Sequence, residues 1–432
     1  MKPKGALADA QAERVQPGKA NFSGRLRARI DGLAVPKPVV GLATVAAWAL
    51  AIVSWVGLCR ATSNGKGLGF DLLITWRSLK LFAHGGAPYS IRGFVYPPSC
   101  LLLLRPLAAL SHHQLVISGL IATAVIAWVT VALASLTVGR RWWGLTSAVT
   151  LFLLHYTEAM RGELSLENLT ILGTLAVTLC CLLALRGHWL AAGMVVGLSL
   201  AFKPLLLVVL LLFVLAREWK ALAAAIVIPA VLNGVAFFLV ANPDQVFSKL
   251  PAVLNRVGPG VALNSAWVDV VRVFGWPDAV SVLLRLVTVA VVLLGAWLAW
   301  TRVADDAVRI ITTTTVLLIG SYLAGTLSEY HFMLTLVPMA MTIVIARSPM
   351  RTVTAVVGII WSMGLFVLPA SWLGIAHDAD HSAFRAFGMS LLLLSVLWVL
   401  ARRRPLRGWR VVAPAVPVHE APMVEVAESE PL

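Results

Sequence analysis

The chain has 432 residues, of which 59% are hydrophobic and 13% charged, with a mean hydropathy of +0.87. That excludes a water-soluble globular protein and points to many membrane-buried segments. The net charge of +15 sits at the ends of apolar runs, without any zinc-finger, RNA-binding or helix-turn-helix pattern; it belongs to membrane orientation and anionic headgroups rather than to nucleic acid.

Residues 1–38 carry eight Lys and Arg and no apolar core, a basic arm expected in the cytoplasm. The first apolar run, 39–60, is too long for a signal-peptide core and no A-x-A-type site follows it, so it is expected to be retained. Next comes the stretch 67–110, which holds Asp71, the only acid between Asp31 and Glu158. After Asp71 the sequence DLLITWRSLKLF reads as an amphipathic helix, with Leu72, Thr75, Trp76 and Leu79 on one face and Arg77 and Lys80 off it. Gly85-Gly86-Ala87-Pro88 breaks that helix and Tyr96-Pro97-Pro98 turns the chain again. Such a segment is expected to lie along a membrane surface rather than cross it.

The remaining apolar runs are roughly 115–138, 144–156, 168–186, 189–202, 205–216, 221–241, 279–300, 308–325, 332–346, 351–372 and 383–401. With 39–60 they predict an all-α polytopic bundle of about twelve crossings, both termini inside and 97–110 a surface or half-embedded helix. The inner loops are then short and basic (Arg140-Arg141, Arg186, Arg217–Lys220, 301–309, 347–351, 402–410), as the positive-inside rule requires. The outer segments 61–114 and 242–278 and the shorter outer loops hold half of the acids. The runs 189–202 and 205–216 are short for a hydrocarbon core of about 30 Å. Read as one helix they would invert every later loop, so two short legs meeting at Lys203-Pro204 are predicted. The 402–432 tail, rich in Pro, Val, Ala and Glu, reads as a cytoplasmic, disordered extension. Of the four cysteines only Cys59 and Cys100 could meet outside the membrane, and their spacing alone does not predict a disulfide.

Asp71 reads either as a helix-capping acid at the interface or as a catalytic base. Lys203 stands between apolar runs, where an ionisable group marks a substrate path more often than a snorkelling cation. His331, in 328-SEYHF-332 beside Glu329 and Tyr330, reads equally as part of an aromatic belt. The stretch 158–168 holds Glu158, Arg161, Glu163, Glu167 and Asn168, expected as mostly solvated loop residues. One carboxylate with scattered cations under an outer face, and no nucleotide fold or metal cluster, suits transfer from a lipid-phosphate sugar. The leaving phosphate needs charge stabilisation and the acceptor hydroxyl needs a base. A lipid or sugar-lipid transporter is the rival class, but transporters carry paired repeats and midplane polar groups, whereas these residues cluster at outer ends.

The elements Asp71…Gly86-Ala87-Pro88-Tyr89…Phe94-Val95-Tyr96-Pro97-Pro98…Arg105-Pro106-Leu107 resemble the first outer loop of glycosyltransferase family 87. Gly162-Glu163…Glu167-Asn168, 193-GMVVGLSLAFKP-204 and 328-SEYHF-332 are similar to further family elements, and the likeness spans about 65–345. Leu166-Glu167 departs from the Gly-Gln that often precedes the Asn in this family. The resemblance implies a GT-C membrane fold, residues 39–401 forming one transferase domain, and a polyprenyl-phosphate sugar donor with no cofactor or metal. It also implies Asp71 as base, with Lys203 and His331 at the donor phosphate. Tyr96, Arg77, Glu163, Asn168, Glu329, Tyr330 and Asn264 are further candidates for substrate binding, and Glu163, Glu329 and Asp269 are alternative bases. Residues 217–233 and the loop around Asn264 look most like the family's arabinofuranosyltransferases. The expectation is therefore inverting transfer of arabinofuranose from decaprenylphosphoryl-arabinose to cell-wall arabinan by an α-(1→3) linkage; the alternative is a mannosyltransferase using polyprenyl-phosphate mannose.

Overall fold

The computed structural model describes residues 37–63, 68–248, 264–365 and 377–403. The basic arm up to residue 36 and the tail from 404 therefore lie outside the described residues. Secondary structure is helical throughout, and among the described residues the only β pairing is an isolated antiparallel bridge between Asn264 and Glu329.

Among the described residues six helices are long and apolar enough to cross a membrane: α1 (Lys37–Ser63), α4 (His112–Thr137), α10 (Trp219–Leu239), α12 (Asp278–Arg302), α13 (Asp306–Ala324) and α16 (His377–Ala401). Their ends follow local chemistry. Ser111 and Gln114 form a reciprocal capping box on α4, and the Asp305 side chain accepts from the Val308 amide at the start of α13. α13 is buried almost all round and forms the centre of the bundle. The other predicted runs are also helical but shorter, 10–17 residues: they include α5 (Leu145–Tyr156), α7 (Thr170–Leu185), α8 (Trp189–Phe202), the pieces within Pro204–Ala216 and Tyr330–Val344, and α15 (Val353–Ser362). A straight helix needs about 20 residues to span the hydrocarbon layer, so among the described residues length and composition alone identify six of the expected crossings.

The break at Lys203 is real, and its geometry follows from close approach. α8 ends at Phe202, Lys203 is extended, and a 3-10 turn over Pro204–Val209 leads into α9 (Leu210–Ala216). A Cβ on Gly193 would stand 2.2 Å from the Ala221 carbonyl, and one on Gly197 would stand 2.9 Å from that of Ala224. The contact register rises together on α8 and α10, so the two helices run parallel. The chain between them must therefore return, which is the work of the 204–216 leg. Trp189 at the start of α8 accordingly meets Phe213 on α9.

The stretch 67–110 forms α2 (Phe70–Ala83), a 3-10 turn at Pro88–Ser90, α3 (Pro98–Leu104) and a second 3-10 turn at Arg105–Ala109. It does not simply rest on a membrane surface. Leu79, Tyr89, Phe94, Tyr96, Cys100 and Leu101 bury one another together with Val240 and Val246. Ser99 donates its hydroxyl to the Ala201 carbonyl of α8 and to Asn233 of α10. The buried face of α2 is Leu72, Thr75, Ser78 and Leu79; Trp76 is only half-buried and donates its indole N–H to the Leu110 carbonyl. Segment 158–166, expected as loop, is helix α6, opened by the Thr157 cap and closed by Glu167 in the left-handed region. Cys59 and Cys100 are both free thiols.

Candidate active site

Three segments that follow helix breaks converge: the start of α2, the turn between α6 and α7, and Lys203 after α8. Asn168 joins them. Its Nδ2 donates to Asp71 Oδ2 at 2.6 Å, while its Oδ1 accepts from Lys203 Nζ at 2.9 Å. The same Oδ1 also accepts from the Thr170 amide and hydroxyl at 3.0 and 2.9 Å, which fixes the orientation of the amide. Lys203 Nζ donates in addition to Thr170 Oγ1 at 2.8 Å. A carboxylate and a cation are thus held on opposite sides of one amide group.

Aromatic rings wall the ammonium. Lys203 Nζ lies 4.5 Å from the Phe332 ring centroid and 6.0 Å from that of Tyr96. Tyr96 is buried, and its carbonyl accepts from the Tyr89 hydroxyl at 2.9 Å. The 328–332 segment closes the other side. Asn264 Oδ1 accepts from the Ser328 amide at 2.7 Å and its Nδ2 donates to the Thr326 carbonyl at 3.0 Å, while the backbone of Asn264 bridges to Glu329. His331 Nε2 stands 3.0 Å from Glu329 Oε2. His331 is wholly buried, and neither ring nitrogen makes a hydrogen bond of good geometry. Tyr330 packs on Gly162, where a Cβ would fall 1.6 Å from its ring.

The carboxylates differ in what surrounds them. Burial pushes the Asp71 carboxyl above its ordinary range against the pull of the Asn168 hydrogen bond, which makes it a better proton acceptor than a solvated Asp. Burial would raise Glu329 as well, but its neighbours His331 and Lys203 outweigh that and bring it down to about 2, so it stays ionised. Burial drives Glu163 well above the carboxylate range; its Oε1 accepts from the Ile171 amide at 2.9 Å, which ties α6 to the start of α7. That side chain holds a turn. Glu167, next to Asn168, is buried with both oxygens unpartnered against Gly69 and Gly119, and burial pushes it up to about 8.

Asp71, Tyr96, Glu163, Asn168, Lys203, Asn264, Glu329, Tyr330 and His331 therefore gather at one end of the bundle. Arg77 does not join them: it is exposed on the side of α2 away from Leu72 and Leu79. Asp269 sits on α11 (Trp267–Val273), where burial pushes its carboxyl up to about 6 against the pull of the Arg272 charge. In the 158–168 stretch, Glu163, Glu167 and Asn168 are buried rather than solvated, while Arg161 is exposed and donates to the Tyr156 carbonyl. Reading the sequence overlooked Thr170 and Phe332, the second partner and the ring of Lys203. Both stand within two residues of a chosen site residue, which was the available signal. Among the described residues no three His, Cys, Asp or Glu converge as a metal-holding group.

The chain is 27% identical to the alpha-(1->3)-arabinofuranosyltransferase of Mycobacterium tuberculosis (strain ATCC 25618 / H37Rv) over 373 residues, 82% of this chain and 84% of that protein. The enzyme of the same name from Corynebacterium glutamicum is 27% identical over 70% of this chain and 74% of its own length. A polyprenol-phosphate-mannose-dependent alpha-(1-2)-phosphatidylinositol pentamannoside mannosyltransferase of Mycolicibacterium smegmatis is likewise 27% identical, over 65% of this chain and 68% of its own length. No solved structure matches the chain. The pattern of glycosyltransferase family 87 matches residues 94–326, more than half of the sequence, and the chain belongs to that family.

Proposed function

We propose that this glycosyltransferase moves arabinofuranose, with inversion, from decaprenylphosphoryl-arabinose to cell-wall arabinan, forming an α-(1→3) linkage on the outer face of the membrane. The observation that carries the reading is the Asn168 amide, which holds the Asp71 carboxylate on one side and the Lys203 ammonium on the other. Asp71 accepts the proton of the acceptor hydroxyl as that oxygen bonds to the anomeric carbon. The lipid phosphate departs with the bonding electrons. It leaves as an anion and needs compensating charge rather than a proton; Lys203 supplies that charge, and the buried imidazole of His331 serves beside it as a hydrogen-bonding group. Glu329 holds that imidazole in place.

The membrane layout is part of the proposal. Residues 39–401 form one domain of about twelve passes, with short legs at the break after Phe202 and both termini in the cytoplasm. The basic inner loops and the parallel course of α8 and α10 support it. A cysteine placed near Asp71 or Asn264 is expected to react with an impermeant thiol reagent from outside, and one near Arg217 is not. Outside labelling at 217 would invert the later loops.

The identity to the mannosyltransferase equals that to the arabinofuranosyltransferases, so mannose from polyprenyl-phosphate mannose is the second reading. Purified protein incubated with each donor and a synthetic arabinan acceptor separates them. Extension of the arabinan from the arabinose donor is expected. Transfer from the mannose donor alone would replace the sugar, and transfer from neither would overturn the enzymatic reading.

A further inference from the structure

Away from Lys203, on the far side of Tyr330, lies a second set of buried charges. Arg385 on α16 is 2% exposed, and Glu158 at the start of α6 is about a quarter exposed. Arg385 Nη2 donates to Glu158 Oε2, and the other carboxylate oxygen lies 2.7 Å from His381 Nδ1. Arg385 Nε and Nη1 find no partner. Burying a guanidinium with two unsatisfied donors is expensive, and stability alone gives no reason to keep it.

Its remaining contact supplies a reason. The guanidinium carbon stands 5.2 Å from the Tyr330 ring centroid. Tyr330 also packs on Gly162 of α6, so closely that any Cβ would enter the ring. The ring is therefore held between a bare backbone position and a cation that the Glu158 carboxylate aims. Tyr330 is bonded in sequence to both Glu329 and His331. The 328–332 segment is thus pinned at three points: by Asn264, by Phe332 beneath Lys203, and by Tyr330 in this clamp.

We propose that Arg385 and Glu158 are a positioning pair: they hold Tyr330 against Gly162 and so set the Glu329–His331 pair at the site of the leaving phosphate. The pair acts through Tyr330 and touches no substrate. It makes α16, which lies beyond the family-matched residues 94–326, part of the working enzyme. The proposal rests on the glycosyltransferase reading above. A displacement of about 1 Å at a reacting group costs about 10²-fold, so loss of the clamp is expected to appear in turnover rather than in acceptor binding.

The test is full-length protein in detergent with Arg385→Met, Arg385→Lys and Gly162→Ala, assayed against both donor and acceptor concentration. Arg385→Met and Gly162→Ala should each lower kcat about 10–100-fold, with acceptor KM within about twofold of wild type. The Arg385→Met/Gly162→Ala double variant should be little worse than either single, because both act through one ring. Arg385→Lys, which keeps the charge without the flat guanidinium, should fall between, and it replaces Arg385→Met should that variant fail to accumulate. A Glu158→Arg/Arg385→Glu exchange should restore yield but not kcat, since only a cation at 385 can face the ring. Normal kcat in the single variants, additive losses, full rescue by the exchange, or a change confined to acceptor KM would each overturn the proposal. A wild type that transfers from no polyprenyl-phosphate donor would instead sink the enzymatic reading and this proposal with it.

Discussion

At the end of the bundle that carries Asp71, charges are buried and bonded to one another: Asp71 to Asn168, Asn168 to Lys203, Glu329 beside His331, Glu158 to Arg385. α4 runs from His112, against Trp76 of the same end, toward a different environment about 40 Å away. There Trp48, Trp128, Trp142, Trp143 and Leu151 line an apolar cavity of about 340 Å³, and Arg140 and Arg141 are exposed. Trp142 and Trp143 are half exposed, and Arg141 lies over the Trp143 ring. Indole rings with solvated cations suit a boundary between lipid and water and cost little to maintain. Desolvated ion pairs rarely stabilise a fold, so their concentration at the Asp71 end supports the site proposed there.

Substitutions on the two ends should separate accordingly. Asp71→Asn keeps size and most hydrogen bonds but cannot take a proton, and kcat should fall by about 10²–10⁴ with expression intact. Lys203→Ala should cost about 10²–10³ in kcat, as for loss of another preorganised charge-stabilising group. His331→Ala belongs to the same arm and should weaken use of the donor while leaving acceptor KM in place. Collapse of the protein without a specific loss of turnover would return Lys203 to a structural role.

Glu167 sharpens the comparison within one end, because it lies one residue from Asn168 and makes none of its bonds. Its carboxyl, raised to about 8 in the folded chain, titrates near 4.3 when unfolded. Between those values the folded state holds the extra proton, so stability falls as pH rises through that window and levels off above it. Glu167→Gln should remove the slope, giving higher thermal stability than wild type at pH 8.5 and a similar value near pH 4. Equal slopes in the two proteins would mean that the carboxylate is not trapped without partners. At the opposite end, Arg141→Ala should move neither kcat nor KM, and its effect on stability should stay within about 0.5 kcal/mol. A tenfold loss there would break the division of the molecule into a reactive and a lipid-facing end.

Much of this was legible because local chemistry and membrane burial act on neighbouring residues. Apolar runs gave the helices, Lys203-Pro204 gave the break, and a lone acid after Gly69 gave Asp71. Contacts across the chain were not legible in the same way. Glu158 and Arg385 are 227 residues apart, and nothing in the local sequence of either points to the other. Helical spacing placed Arg77 and Leu72 on different faces of α2 but could not say which face the site would use. Segment 158–168 looked solvated because its charges are dense; packing of α6 against Tyr330 and the start of α7 buries them instead.

The central claim, that Asp71 removes the acceptor's proton, is tested most directly by the pH dependence of kcat/KM in wild type and Asp71→Asn. Burial raises the Asp71 pKa, and a protonated carboxyl cannot act as base. The wild-type rate should therefore decline as pH falls through a value above that of an ordinary aspartate. The residual activity of Asp71→Asn should lack that acidic limb. An Asp71→Asn enzyme with the wild-type rate and the same acidic limb would contradict the account and place the base elsewhere.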